Sequence, residues 1–276
     1  MNKASSIIGL VVAIGGLFLG ATMEGAPVFA VINPSAMMIV LGGTLGVTIV
    51  GTSFDSIKAI PKLWMKVFSA EVHDLRGRVS ELVAFAEKAR RDGLLALDDE
   101  LNGVEDEFMR RGLQLVVDGT DPDMVAEVLD SEVSSMGRRH AAGVQPFEKA
   151  GGFAPTMGII GTVFGLVHVL ENLDAPETLG PAISAAFIAT LLGVAAANVC
   201  FLPIANRLKQ LSAAEREFRM LTIEGILGIQ SGDNPRVLGD KLLTFVPPDQ
   251  RDGAAAKKDA PAGDAGEAAP DAAMAA

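Results

Sequence analysis

PTMGIIGTVFGLVHVL at 155–170 and PAISAAFIATLLGVAAANVCFLPIA at 181–205 contain no Lys, Arg, Asp or Glu. With the flanking Phe153 and Ala154, both are long enough to cross a hydrocarbon core of about 30 Å as helices rising about 1.5 Å per residue. Lipid-facing helices favour Leu, Ile and Phe, whereas these are crowded with Gly, Ala and Thr. Such segments are built to pack closely against other helices. Charged groups inside a bilayer are expensive and usually functional, and none accompanies the hydroxyls of Thr162 and Thr190. If ions pass here, another chain must supply the charge that carries them.

Outward from this pair, residues 4–23 and 34–53 are two further apolar runs of spanning length, so the chain reads as four membrane helices. Lys3 before the first run resembles the start of a signal peptide. The run is longer than a usual signal core and no cleavage site follows, so the helix is expected to be retained. The loops 24–33 and 171–180 hold no Lys or Arg. All 23 basic residues lie at Lys3, within 55–149, or from Arg207 onward. Because basic residues stay on the cytoplasmic side, both termini and the large central segment are expected there.

The composition agrees with a mixed protein. Its 276 residues are 49% hydrophobic with mean hydropathy +0.35, too apolar for an ordinary soluble domain. The segment 55–149 carries 13 Lys and Arg against 19 Asp and Glu. An acidic chain with pI near 4.8 lacks the basic footprint that nucleic acid demands. One cysteine, Cys200, excludes internal disulfides and Cys-based metal sites. His73, His140 and His168 share no ligand spacing, so no metal or other cofactor is expected. No nucleophile–base arrangement, phosphate loop or paired carboxylates appear, and the chain does not read as an enzyme.

The organisation that follows is a hairpin of membrane helices (4–53), a helical domain (54–150), a second hairpin (151–205), C-terminal helices (206–246) and a tail (247–276). Gly16 with Gly20 and Gly42 with Gly46 stand at the four-residue spacing that permits close helix approach. Helical periodicity runs from 73 to 91 and again from 94 to 117, broken at Gly93 and softly at Gly103. Asp121 before Pro122 predicts a helix start, and the helix continues through Pro146 into the third span. The fourth span likewise continues past Arg207 until Gly232, and Asn234 before Pro235 opens a short last helix to about residue 246. Beyond it, the Ala-rich tail has no periodicity and reads as disordered. Strand signals are nearly absent, so the fold is all-α.

Within the second hairpin, Gly158, Gly161 and Gly165 share a small-residue face with Thr162, while Ala182, Ala186, Thr190, Gly193 and Ala197 form another. Threonine in a membrane helix most often bonds a carbonyl one turn back; a hydroxyl lining an ion pathway is the alternative. Pro155 and Pro203 stand near the cytoplasmic ends, as static bends or as hinges. In KARRDGLLALDDE, Arg90 and Arg91 precede a break that Asp98, Asp99 and Glu100 follow. Opposed clusters of this kind are a solvated face or a docking surface that steers a partner.

Several motifs in order resemble the MotA/PomA family of bacterial flagellar stator subunits. They are EKARRDGLLALDD (87–99), FMRRGLQLVVDGTDPD (108–123), APTMGIIGTVFGLV (154–167), NLDAPETLGPA (172–182), ATLLGVAAAN (189–198), PIANRL (203–208) and IQSGDNPRV (229–237). The resemblance implies a homopentamer in the bacterial inner membrane, around a dimer of a single-span MotB/PomB-type partner whose membrane aspartate binds the ion and whose periplasmic domain holds peptidoglycan. It implies a pentamer that turns as ions pass and pushes the rotor protein FliG. It places Thr162 and Thr190 at ion-pathway threonines, Pro155 and Pro203 at paired prolines that couple conformation, and Arg90, Arg91, Asp98 and Asp99 at rotor-facing positions. A third acidic position of sodium-type relatives coincides with Leu101, with Glu100 displaced by one. Sodium-type members also resemble one another in two adjacent threonines on the fourth span, where this chain has Ala189 before Thr190. A missing hydroxyl removes a ligand for a dehydrated hard cation, so H+ is the expected ion and Na+ the alternative. Other readings are an ExbB/TolQ-like energiser of an envelope process and a non-conducting membrane scaffold.

Overall fold

A computed structural model describes residues 3–25, 32–69 and 73–251. Residues 1–2, 26–31, 70–72 and the tail 252–276 lie outside the described residues, as do the side chains of residues 3–6. Every regular element among the described residues is helical.

Helix α1 (Lys3–Met23) is followed by α2 (Pro34–Gly51), whose first turn is capped by Asn33 accepting from the Ala36 amide at 3.1 Å. Pro34–Gly51, Pro122–Glu171 and Pro176–Ser231 are long and apolar enough to cross a membrane. The described apolar stretch of α1, Ile7–Met23, is 17 residues, about 25 Å as a helix. The expected glycine pairs do not act as close-approach sites within the chain. A Cβ added at Gly9, Gly15, Gly16, Gly20 or Gly46 would meet nothing within 4 Å. Instead α1 rests on α3 (Phe54–Ser69) and on α8 near Asn198, along a cleft of about 360 Å³ lined by Leu10, Ile14, Trp64 and Ile204. On α2 it is at Gly43 that an added Cβ would meet the closest neighbour, the Met157 sulfur at 2.9 Å. Periodicity alone could not tell which glycines have a neighbour.

The most charged part folds around an apolar core. Helix α4 (Leu75–Asp92), capped by Asp74, supplies Val79, Leu82 and Ala86 and stops at Gly93, whose φ of 88° favours glycine. The stretch 94–117 breaks more than its periodicity suggests. It forms a tight turn (Leu94–Leu97), one turn of helix α5 (Asp98–Leu101), a turn at Asn102–Gly103, and α6 (Glu107–Val117). Asp106 explains the separation. It caps α6 by accepting from the Phe108 amide at 3.0 Å and pairs with the buried Arg78 at 2.6 Å, which holds the chain extended before Glu107.

Two long helices join this core to the apolar segments. Helix α7 (Pro122–Glu171) contains 50 residues and starts where Asp121 accepts from the Asp123 amide at 3.0 Å. Pro146 and Pro155 lie inside it. Helix α8 (Pro176–Ser231) contains 56 residues and ends at Gly232 with φ 72°. Leu129 and Val133 of α7 meet Leu221, Ile226 and Ile229 of α8 in one core, closed by Leu238 and Leu242 of α9 (Pro235–Leu242). A second core joins Val67 of α3 to Val144 and Phe147 of α7 and to Ile204 and Leu208 of α8. The tail begins with structure: α10 (Pro248–Arg251) is tied back by Arg251, which donates to the Val246 and Thr244 carbonyls at 2.6 and 3.0 Å.

Candidate functional site

The site is the seam where the uncharged halves of α7 and α8 run antiparallel. Glycine sets its closeness. A Cβ at Gly158 would stand 2.9 Å from the Ala189 carbonyl oxygen and 3.1 Å from Thr190 Cα, and one at Gly193 would stand 2.4 Å from the Ala154 carbonyl oxygen. Those neighbours are backbone and cannot rotate away. At Gly161 and Gly165 the nearest atoms are the methyls of Ala189 and Ala186, at 2.7 and 2.6 Å. The seam admits no larger residue at these positions, which is why the two sequences are so rich in Gly and Ala.

That approach brings Thr162 and Thr190 together. Their hydroxyls are hydrogen-bonded to each other. Thr162 Oγ1 also lies 3.1 Å from the Gly158 carbonyl in its own turn and 3.2 Å from the Ala186 carbonyl across the seam. Thr190 Oγ1 is 3.5 Å from the Gly158 carbonyl. The ordinary bond one turn back and the cross-helix arrangement thus coexist at Thr162. Each hydroxyl can donate one proton and accept others, so two hydroxyls and two carbonyls form a short polar chain within an apolar wall.

The two sides of the seam differ. Helix α2 covers one side, where Ala36, Val40 and Ala189 pack into a small core and Ile39 reaches Gly161. Ala189 sits in that packed core, 1% exposed, with its methyl beside Gly161. Around the threonines, at helical spacings of three and four, stand Ile159, Leu166, Phe187 and Val194, between 43% and 66% exposed. An uncovered apolar rim therefore borders the polar chain.

The two prolines behave differently. Pro155 lies within the continuous α7. Before Pro203, α8 widens into a π turn over Ala196–Phe201, in which the Leu202 amide donates five residues back to the Ala197 carbonyl. One extra residue is absorbed there, relieving the clash of the proline ring with the preceding turn. Asn198 within this turn donates to the Val194 carbonyl at 2.9 Å. Sequence reasoning missed this turn and a second one at Met38–Gly42. It also missed the buried Thr44 and Thr48 of α2, although their four-residue spacing on an apolar helix was a readable sign of a packed face.

At the far end of the molecule the charged cluster is exposed. Arg90 and Arg91 end α4, and Asp98, Asp99 and Glu100 open α5. Gly93 turns the chain between them, and the buried Leu97 and Leu101 pin the turn to the core. Leu101, 4% exposed, is a core residue, so a charge at that position would be buried. Glu100 instead reaches solvent and pairs with Lys88. Arg91 pairs with Asp92 at 2.9 Å, holding that carboxyl below the usual carboxylate range and raising its own guanidinium. Both groups are exposed and the pairing is screened. Arg90 and Asp98 make no ion pair among the described residues.

Fold and site together define a helical membrane protein with a close-packed helix pair that presents hydroxyls and no acidic or basic charge. Residues 100–220 match the MotA/TolQ/ExbB proton channel family, and residues 7–93 match the motility protein A N-terminal family. Motility protein A of Bacillus subtilis is 37% identical over 91% of this chain and 93% of its own length. Chemotaxis protein PomA of Vibrio alginolyticus is 33% identical over 88% and 94%. Among solved structures, C. jejuni MotAB superposes with a TM-score of 0.85 at 32% identity, covering 90% of this chain and 97% of that one. The flagellar MotAB stator complex of Bacillus subtilis gives 0.83 at 36%, covering 89% and 96%. The chain belongs to the MotA/PomA family, within the MotA/TolQ/ExbB proton channel family. The match at 7–93 favours this motility branch over the ExbB/TolQ reading.

Proposed function

We propose that the chain is the stator subunit of a flagellar motor, conducting protons with a MotB-type partner and converting the ion-motive force into torque. The observation that carries this is the hydroxyl pair Thr162–Thr190, set in an uncharged glycine seam and bordered by an uncovered apolar rim. The rim fits a helix of another chain, and the hydroxyls fit beside a carboxylate that this chain lacks. Solved relatives are MotAB complexes, which supports a MotB/PomB-type single-span partner and an oligomer. In this reading five copies surround a partner dimer, α1, α2 and the uncharged halves of α7 and α8 are four spans, and both termini and the charged unit lie in the cytoplasm. Arg90, Arg91, Asp98, Asp99 and Glu100 then face the rotor protein FliG. Pro155 and Pro203 mark where seam movements enter the cytoplasmic extensions.

Ala189 supports the choice of ion. Its methyl fills the space beside Gly161, so the pathway has one hydroxyl on α8 where a sodium site would use more oxygens. The deciding experiment replaces Thr190 by Val and by Ser and measures swimming in a host lacking its own subunit. Val should abolish torque while membrane assembly persists, and Ser should retain it. Full swimming of the Thr190→Val strain would overturn the pathway. Swimming speed at fixed pH should not depend on sodium; dependence would reassign the ion.

A further inference from the structure

Helix α3 presents a basic face that neither the seam nor the rotor-facing cluster uses. Lys58, Lys62 and Lys66 recur every four residues, are all exposed, and make no ion pair among the described residues. Phe54 begins the same line, 66% exposed and under the Lys58 ammonium at 4.8 Å, and Met65 beside it is 64% exposed. Asp55 is the one acidic residue of the helix. The opposite face is held by protein: Leu63 lies against Gly143, Trp64 stands 6.4 Å from the Phe147 ring, and Val67 joins Ile204 and Leu208.

These contacts place the helix at a boundary. Lys149 donates to the Gly51 carbonyl at the end of α2, three residues before α3 begins. Glu148 and Lys149 are the last charges of α7 before its apolar half, and Arg207 is the first charge of α8 after its own. On α7 the partners of α3, Gly143 and Phe147, lie just before those charges, and on α8 Ile204 and Leu208 lie on either side of Arg207, so the helix sits where hydrocarbon gives way to water. A helix with apolar and cationic faces at that depth lies in the headgroup layer.

We infer that Lys58, Lys62 and Lys66 form a binding face for anionic phospholipid headgroups of the adjacent leaflet, selecting these over zwitterionic lipids. This rests on the membrane placement proposed above. Charge complementarity carries it: three ammonium groups with no ion-pair partner among the described residues flank exposed apolar side chains, the arrangement that takes a phosphate at its tip and acyl chains beneath. Basic residues near an acidic membrane surface each favour association by roughly fivefold.

The test uses the single tryptophan, Trp64, which lies on α3 itself. The full chain is reconstituted with phosphatidylglycerol or phosphatidylcholine carrying brominated acyl chains, and quenching of Trp64 gives the relative association of each lipid. Brominated phosphatidylglycerol should associate severalfold more strongly, less so in high salt. The preference should fall to about twofold or less in K58Q/K62Q/K66Q and persist in K58R/K62R/K66R. Equal quenching of the native chain by both lipids, or a preference kept by the glutamine variant, would overturn the inference alone. No quenching by either lipid would overturn the membrane placement of α3 as well. Quenching of the glutamine variant by brominated phosphatidylcholine separates lost selectivity from lost insertion.

Discussion

Replacing Gly193 by Ala adds one methyl where none fits. The new Cβ would lie 2.4 Å from the Ala154 carbonyl oxygen and 3.1 Å from Gly158 Cα. An ordinary carbon–oxygen contact needs about 1 Å more than the first of these, and both obstacles are backbone. The seam must therefore open by about 1 Å, and overpacking of this kind costs about 1–3 kcal/mol. The same opening stretches the Thr162–Thr190 bond and carries the Ala186 carbonyl, now 3.2 Å from Thr162 Oγ1, out of reach. Gly137→Ala in the same α7 is the control, since a Cβ there meets nothing within 4 Å. That change should stabilise by about 0.5–1 kcal/mol through helix propensity. Thermal unfolding of the purified chain and swimming in a complemented host measure both effects. Gly193→Ala should unfold at lower temperature and swim poorly, whereas Gly137→Ala should do neither. Unchanged stability and speed in Gly193→Ala would refute the claim that backbone proximity maintains the hydroxyl pair.

His140 should make stability depend on pH. Burial lowers its pKa below the usual value, only partly offset by Glu215 at 3.9 Å, and Lys66, Arg139 and Arg219 lower it further. The folded state then binds the proton less readily than the unfolded one, so this contribution is complete above the ordinary histidine pKa and is lost as pH falls through the lowered one. His140→Gln should flatten the decline in unfolding temperature between about pH 7 and 5; an identical decline in the variant would exclude His140 as its source. On the exposed cluster, Arg90→Glu and Asp98→Lys should each slow swimming if, as proposed, complementary charge steers a rotor contact there, while unfolding temperature stays constant because both residues are exposed and make no ion pair among the described residues. Unchanged speed in both single variants and in the double variant would remove the cluster from the interface.

How much of this was legible depended on whether the signal was local. The start of α7 at Asp121–Pro122, the stop at Gly232 and the Asn234 cap on Pro235 are each decided within a few residues, and the structure places them there. The meeting of Thr162 with Thr190 was less direct: two small-residue faces implied a seam, while the hydroxyl contact needed the register of α7 against α8. Gly16 and Gly20 had the right spacing but no neighbour, since spacing describes one helix and packing requires two. The π turn before Pro203 was equally hidden, because a proline can be accommodated by a bend or by one extra residue in the turn. The break between α5 and α6 came from Asp106, whose partner Arg78 is 28 positions away.

Neither α7 nor α8 ends where the apolar segment ends. From Gly158 to the first residue of α7 is about 54 Å of uninterrupted helix at 1.5 Å per residue, stiffened by its partner along much of that length. A pair of rods this long behaves as a lever: a tilt of about five degrees at the seam swings the distal end through about 5 Å, given that helical rise. Any small rearrangement at the seam would thereby acquire a mechanical reach comparable to the spacing between successive helical turns.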